Sequence, residues 1–400
     1  MATTQIHDPI HGTITITPIM KMIIDTPEFQ RLRELKQLGA SYFVFPSATH
    51  TRFEHSIGVS HLAGKLMETL QKNQPRLQIS PREIEVTRIA GLIHDIGHGP
   101  FSHLYDEHIR NASEDEHEIR GCKVFQHMVK KYKLPLEERD VMQICLMIEP
   151  DDNRKNLWPY QIIANKMCQI DVDKLDYIRR DCYHLGIEMT DNFSRIISNA
   201  RVVKTPKGNE VIGWPKKLQF DIFNLFASRY RLHKQVYNHH TVKSHEFVVV
   251  EILKEIKKNI THGAWKLTDA SIMCTLHPQY SALIKKIHTR KTPKLVGELV
   301  VKLPHKSYHP EDPNPRRILN NIIQVTKIGF AGGSENPLTQ VYYYTKDEKN
   351  MGFHAKPQDN SFCVPAEHQE LIVRMFTYSS NHSESKKEWL QIKRQWLSKN

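Results

Sequence analysis

Apolar residues recur at helical spacing along much of the chain. Val59, Leu62, Ala63, Leu66, Met67 and Leu70 form one stripe, and Val86, Ile89, Ala90 and Ile93 form a second. Residues three and four apart share a helix face, so both stripes predict helices with one buried side. The second runs straight into His94-Asp95 and stops at Gly97, Gly99 and Pro100. Upstream, the alternation Thr13-Ile14-Thr15-Ile16-Thr17 predicts a short strand closed by Pro18. Thr26 as N-cap, Pro27 at the first position and Gly39 as the stop predict a helix between them. Residues 111–160 read as charged helices and loops, with Glu114, Asp115, Glu116 and Glu118 on a solvated face. A further helix carries Asp173, Lys174, Tyr177 and Asp181. A loop with Pro206, Gly208 and Gly213 then leads to a long helix from near Leu218, where Arg229, His233 and Tyr237 recur every four residues.

Past residue 250 helical segments continue to about 290, and LPHKSYHPEDPNPRR (303–317), with its prolines, reads as a linker or exposed loop. IIQVTKIGF and TQVYYYTK predict strands; QELIVRMF and KKEWLQIKRQW predict amphipathic helices. The expected fold is mainly α: a helical core over 1–300, with a distinct N-terminal segment 1–40, and a smaller α+β lobe over 301–400.

Composition narrows the setting. No uninterrupted apolar run approaches the ~20 residues of a membrane span, and MATTQIHD lacks the pattern of a signal peptide, so a soluble protein without membrane partners is expected. The cysteines at 122, 145, 168, 182, 274 and 363 lack CxxC spacing, and four of the six fall in predicted helices. That usage fits reduced thiols and an intracellular setting, nucleus and/or cytoplasm. The net charge of +12 implies anionic partners. Nucleic acid and nucleoside triphosphates both qualify, and KKIHTRKTPK is either a phosphate or polynucleotide patch or a solvated face.

His94-Asp95 at the end of a buried helix is a costly pairing unless something binds it, because an unpaired buried polar group costs several kcal/mol, roughly. His55 heads the first stripe, and IDVDKLDYIRRD offers Asp173, with Asp171 two residues before it. Two imidazoles and two carboxylates, His55, His94, Asp95 and Asp173, suit a first-row metal, Fe, Mn or Zn, with open positions for water and a phosphate oxygen. The plain alternative is a pair of satisfied core histidines with capping aspartates. Arg52 is placed as a bidentate phosphate clamp, or else is a solvated arginine.

The runs DPIHG, IIDTPEFQRLR, KQLG, VFP, RFEHS, HDIGHGPFSH, IDVDK and RDCYHLGI resemble the HD-domain phosphohydrolases, and within them the SAM-and-HD-domain deoxynucleoside triphosphate triphosphohydrolases. The resemblance is strong from residue 5 to about 245 and loose from about 260. It implies an HD-type catalytic core without the SAM domain or basic N-terminal tail, a regulatory segment within 1–40, and a regulatory or oligomerisation lobe over 301–400. It implies hydrolysis of a dNTP to deoxynucleoside and inorganic triphosphate, with His103 as acid oriented by Asp106, and His98 and His117 on the phosphates. Gln37, Leu38 and Arg52 are implied to meet sugar and phosphates, Lys174 phosphate, Tyr177 the nucleotide, Asp181 the 3′-hydroxyl and Arg229 the γ-phosphate. Tyr237 with Leu38 is implied to exclude the ribose 2′-hydroxyl. Asn238 stands where the family has glutamine, which shortens a reach toward the 3′ side. Asp25, Gln30 and Arg33 are implied to read the guanine of a GTP or dGTP activator, with Lys346 completing that site between subunits of a dimer or tetramer. Magnesium is expected with the nucleotide phosphates, and weak single-stranded nucleic-acid binding is a further expectation. Two rival functions remain at this point: an HD enzyme acting on nucleoside monophosphates or another phosphoester, and a basic nucleic-acid-binding protein with a vestigial cleft.

Overall fold

The computed structural model describes residues 3–398 except 112–113, 190–192, 261–262, 275–277, 311–313, 319, 332–334, 360–364 and 366. The expected strand forms as β2 (Gly12–Ile16), paired antiparallel with β1 (Thr4–Asp8) in a hairpin. Asp8 Oδ1 closes its turn by accepting from the backbone N–H groups of Ile10 and His11 at 2.8 and 2.9 Å. Helix α1 (Pro18–Ile24) follows, capped by Thr17.

Thr26 does cap a helix with Pro27 at its first position, but α2 is only Pro27–Gln30 and passes into a 3-10 turn, Arg31–Glu34. The helix expected to reach Gly39 ends early because its backbone bonds elsewhere. Gln37 N donates to His50 O at 2.9 Å, Arg52 N to Leu35 O at 3.0 Å, and Lys36 N to Asp269 Oδ2 at 2.9 Å. That pairing carries Gln37 and Leu38 to the cleft described below.

The core is a helix bundle. Helices α3 (Arg52–Asn73) and α4 (Pro81–Ile93) both start at capping boxes, Thr51–Glu54 and Ser80–Glu83. They are followed by α5 (His103–His108), α6 (His117–Tyr132), α7 (Glu138–Ile148) and α8 (Val172–Leu185), the last capped by Asp171 and closed by Gly186. Helix α3 lies against α4 and α8, and Ile57, Leu62, Leu66, Ile89, Leu92, Leu175 and Ile178 bury the seam.

After α9 (Ser194–Ser198), the segment expected as a loop is a β-hairpin, β3 (Arg201–Lys204) and β4 (Glu210–Pro215), turning at Gly208. Helix α10 (Gln219–Leu232) then widens into a π-turn, His233–Tyr237, before α11 (His240–Asn259), α12 (Asp269–Met273) and α13 (Pro278–His288).

The C-terminal region is built on β5 (Lys294–Lys302), β6 (Arg316–Ile318), β7 (Asn321–Gly329), β8 (Tyr342–Tyr344), β9 (Phe353–His354), β10 (Gln369–Thr377) and α14 (His382–Leu397). The expected helix QELIVRMF is instead the strand β10, interior to an antiparallel sheet of order β5-β10-β7-β6. Leu371, Val373 and Met375 meet Trp389 and Trp396 of α14, while Phe376 packs on Phe247 and Ile322. Covered on both faces, the strand has the continuous apolar run that periodicity cannot tell from a buried helix. A second sheet, β3-β4-β8-β9, joins this region to the bundle through a parallel β4–β8 pairing, with Val341 and Tyr343 in the main core. The fold is thus a mainly helical core with a smaller sheet-containing C-terminal region, whose first strand starts at Lys294 rather than after 300.

Cys122, Cys145 and Cys182 lie on helices. Cys168 is in a turn and Cys274 just past α12, so three of the four expected helical placements hold within the described residues; Cys363 lies outside them. No described helix is long and apolar enough to cross a membrane.

Candidate metal centre and cleft

The four sequence-predicted ligands lie at helix ends, two of them just inside the capped N-termini of α3 and α8. His55 is in the first turn of α3, His94 caps the C-terminus of α4 with Asp95 beside it, and Asp173 is in the first turn of α8. His55 Nε2 lies 3.1 Å from Asp173 Oδ1 and 3.7 Å from Asp95 Oδ2; His94 Nε2 lies 3.4 Å from Asp95 Oδ1 and 3.7 Å from Asp173 Oδ1. Donors each about 2.1 Å from one ion stand roughly 3.0–3.4 Å apart, close to these spacings, and His55, His94 and Asp173 group tightly enough to hold one ion, while Asp95 turns a different oxygen to each histidine.

The outward nitrogens fix both rings. His55 Nδ1 donates to Asp176 Oδ2 at 2.8 Å and His94 Nδ1 to Gly91 O at 2.8 Å, which leaves each Nε2 lone pair aimed at the shared point. His94 Nε2 is buried with no hydrogen-bond partner. Charge agrees with geometry. Burial alone would lower His55, yet Asp173 and Asp176 outweigh it and raise the ring to about 10, so the carboxylates favour positive charge at this point, which a bound cation would supply in place of the Nε2 proton. Burial acts against ionised Asp95 as well, but Arg52 and His94 hold it well below the carboxylate range. The residues fit a cation bound by nitrogen and oxygen. Asp171 is not among them: it caps α8, accepting from Lys174 N and Lys174 Nζ at 3.0 Å each.

A second cluster adjoins the first through Asp95. His98 Nε2 is 3.2 Å from Asp95 Oδ1, and the His98 ring stacks on His117 with centroids 3.9 Å apart. Asp95, His98 and His117 could themselves hold a cation. The expected His103–Asp106 pair is not formed. Asp106 is drawn to α6, to Arg120 Nη2 at 2.8 Å and His117 Nδ1 at 3.1 Å, because a guanidinium is the stronger partner for a carboxylate. His103 stands edge-on to His98 at 5.3 Å with its ring open to the cleft. The enclosing walls, Arg52 and His117 push it down to about 4.

Gly97 permits this closeness: a Cβ there would meet His117 O at 2.0 Å and Gly121 N at 2.5 Å. Phe101 and Ser102 both adopt positive φ, 54° and 55°, a strained backbone that turns Ser102 Oγ toward Arg52 Nε, 2.7 Å away. Arg52 is buried and also bonds Asp95, so it is not a solvated arginine.

All nine sequence-predicted substrate residues line one cleft of about 800 Å³ together with the metal ligands. Lys174 and Tyr177 come from α8. Asp181 accepts from His50 Nε2 at 2.7 Å and from the Tyr237 hydroxyl. Arg229 Nη1 donates to Gly329 O of β7 at 2.8 Å. Asn238 turns back on its own turn, Nδ2 to His233 O at 3.0 Å. Gln37 and Leu38 close one side.

Sequence reasoning missed part of the wall. The segment read as a linker contributes Tyr308, Asn314 and Pro315, and β7 contributes Gln324 to Lys327. It also missed Asp176, Ser102 and Arg120. Asp176 was legible three residues past Asp173 on the same helix; Ser102 and Arg120 had no local signal.

The residues expected at a regulatory site lie apart from the cleft. Asp25 pairs with Lys21 on the surface. The Gln30 amide donates to Ile24 O at 2.8 Å and accepts from Arg33 Nε at 2.8 Å, and Arg33 lies over the Phe53 ring at 3.5 Å. Lys346 is exposed just beyond β8.

The HD domain family model matches residues 52–178, the span from α3 to α8 that carries all four ligands. The chain is 32% identical over 407 residues to the deoxynucleoside triphosphate triphosphohydrolase SAMHD1 homolog of Dictyostelium discoideum, covering 95% of this chain and 78% of that protein. It is 32% identical over 437 residues to the deoxynucleoside triphosphate triphosphohydrolase SAMHD1 of Gallus gallus, covering 92% and 71%. To the protein of that name in Homo sapiens it is 32% identical over 441 residues, covering 93% and 70%.

Proposed function

The chain belongs to the HD-domain phosphohydrolases related to the SAMHD1 dNTP triphosphohydrolases, and from that premise we propose that it converts a dNTP and water to deoxynucleoside and inorganic triphosphate. One observation carries the reading: His55, His94 and Asp173, grouped closely enough to hold one ion and with Asp95 beside them, share a cleft with three cations, Arg52, Lys174 and Arg229. A phosphomonoester needs fewer positive partners than that.

His55, His94, Asp95 and Asp173 would hold Fe, Mn or Zn, which when bound polarises water and a phosphoryl oxygen. Arg52, Lys174 and Arg229 bind the triphosphate, which brings magnesium with it, and His98 and His117 contact its oxygens. Water attacks the α-phosphorus, the bond from phosphorus to O5′ breaks, and His103 Nε2 or Nδ1 gives O5′ its proton. His103 is neutral beside Arg52 and becomes a competent acid as the anionic substrate offsets that charge. Asp106, bonded to Arg120, fixes His117 instead of His103. Tyr237 and Leu38 crowd the sugar, Asp181 takes the 3′-hydroxyl, Gln37 and Tyr177 contact the sugar and base, and Asn238 leaves the 3′ side roomier.

Product analysis with each dNTP tests the bond cleaved: deoxynucleoside plus triphosphate is expected, and monophosphate plus pyrophosphate, or free phosphate alone, refutes it. Regulation belongs to the same proposal. Asp25, Gln30 and Arg33 read a guanine activator, with Lys346 from a neighbouring subunit, and GTP drives assembly from dimer to tetramer. Hydrolysis of dATP with and without GTP, with mass measured alongside, tests this; equal rates and equal mass reject it. The basic run at 285–294 supports weak single-stranded nucleic-acid binding, which must fall steeply with salt.

A further inference from the structure

The carboxylate that orients His55 is held from an unexpected quarter. Asp176 receives four hydrogen bonds: His55 Nδ1 at 2.8 Å and Arg180 Nε at 2.8 Å on Oδ2, and His11 Nε2 at 2.6 Å and Arg180 Nη2 at 3.0 Å on Oδ1. His11 is not part of the helix bundle. It sits at the turn of the β1–β2 hairpin, 165 residues from Asp176 in sequence, yet its side chain is 3% exposed and that of Asp176 is 0% exposed. Asp8 of the same turn takes Arg180 Nη1 at 2.9 Å, so the hairpin grips both Asp176 and the arginine beside it.

This arrangement is built for. Gly58, one turn past His55, leaves the room Asp176 occupies: a Cβ there would lie 2.0 Å from Asp176 Oδ1 and 2.4 Å from Arg180 Nη2. The two oxygens divide the work. Oδ2 faces His55, and Oδ1 is pinned by His11, the shorter of its two bonds. Without His11 the carboxylate is free to swing toward Arg180, and the His55 Nδ1 bond that aims Nε2 at the ion loses its fixed acceptor.

We infer that His11 is a positioning residue for the metal centre, acting through Asp176, so that the N-terminal hairpin forms part of the shell that retains the ion. The inference deepens the reading of His55 as a metal ligand and rests on it. It makes docking of the hairpin and metal retention one equilibrium: what loosens β1–β2 from α8 loosens the ion, and the ion in turn holds the hairpin down.

The test is metal release. Full-length wild type, His11→Leu, His11→Asn and His11→Gln are loaded with zinc, and its transfer to a chromogenic chelator is followed well below the melting temperature, with melting of the zinc-loaded and metal-free forms measured in parallel. His11→Leu lacks the donor, and His11→Asn holds one too short to reach. Both are expected to release zinc roughly 10- to 100-fold faster. Glutamine places an N–H at similar reach and is expected to restore most of the retention. Release at the wild-type rate from His11→Asn overturns the inference. So does an equal loss of melting temperature with and without zinc, because His11 then serves the fold alone. Wild type that takes up no zinc, manganese or iron overturns the metal centre itself, and this inference with it.

Discussion

Substituting Gly97 separates the two halves of the site. The added methyl of Gly97→Ala would lie 2.0 Å from His117 O, 2.5 Å from Gly121 N and 2.9 Å from Gly121 Cα, all backbone atoms of α6. Ordinary contact requires about 3.4 Å or more, so the start of α6 must retreat by about 1 Å or more. That movement opens the His98–His117 stack, now 3.9 Å, and stretches Arg120 Nε to Gly97 O, now 2.7 Å. Of the proposed metal ligands, His55 and Asp173 stand on α3 and α8 and His94 and Asp95 lie at and just past the end of α4, and none is among the atoms struck. A displacement of about 1 Å at a positioned group costs roughly 100-fold in rate, and overpacking costs roughly 1–3 kcal/mol of stability. Steady-state dATP kinetics and metal content of the purified variant are the measurements. The expected result is a kcat about 100-fold down with metal content unchanged. Unaltered kcat, or loss of the metal, refutes the division of labour between the clusters.

Asp95→Ala or His94→Ala is expected to abolish dNTP turnover and metal binding while circular dichroism stays that of the wild type; normal turnover in either rejects the centre. His103 must be protonated to act, so the rate falls as pH rises through its pKa. The enclosing cleft walls and Arg52 hold that pKa at about 4 without an anion, and bound triphosphate is expected to raise it, so the alkaline limb of kcat/KM should lie at lower pH than that of kcat. His103→Gln should remove the limb, and its survival there reassigns the acid. Asp269→Ala leaves the N–H groups of Phe101 and Lys36 unpaired, now bonded at 2.6 and 2.9 Å, for a loss of roughly 2–4 kcal/mol in denaturant unfolding. A change under about 0.5 kcal/mol would mean that the loops re-pair locally.

The helices that carry ligands were legible because each is amphipathic and capped within a few residues: Ser80 with Glu83, Thr51 with Glu54, Asp171 ahead of Asp173. The ligand set followed, since a His-Asp doublet buried at a helix end is too costly to keep without a cation to bind it. What was not legible depends on partners remote in sequence. The helix after Thr26 stops at Glu34 because residues 50–52 and Asp269 take its backbone groups, and no local propensity records that. Strand β10 looked helical because it is buried on both faces. The 303–317 segment has the composition of a linker, and its role as a cleft wall comes from where β7 places it. That Asp106 orients His103 was implied by the resemblance alone, and Arg120 of α6 takes that carboxylate instead.

The site sets a cation trap against an anion clamp, two devices that in isolation would neutralise one another. Asp95 is where they meet. Its Oδ1 faces His94 and His98, while its Oδ2 bonds Arg52, one of the three cations proposed to bind phosphate. With no anion present, Arg52 shares its charge with Asp95 and weakens that carboxylate as a donor. In the proposed reaction a phosphate engaging the guanidinium would draw off part of that charge and leave Asp95 the stronger ligand. Linkage would make that effect mutual, so under the proposed function substrate and metal are expected each to tighten the hold on the other. Ser102, kept by a strained loop on Arg52 Nε, holds the guanidinium in place independently of its Nη1 bond to Asp95. Strain at Phe101 and Ser102 is therefore spent on holding the one arginine whose charge both halves of the site use.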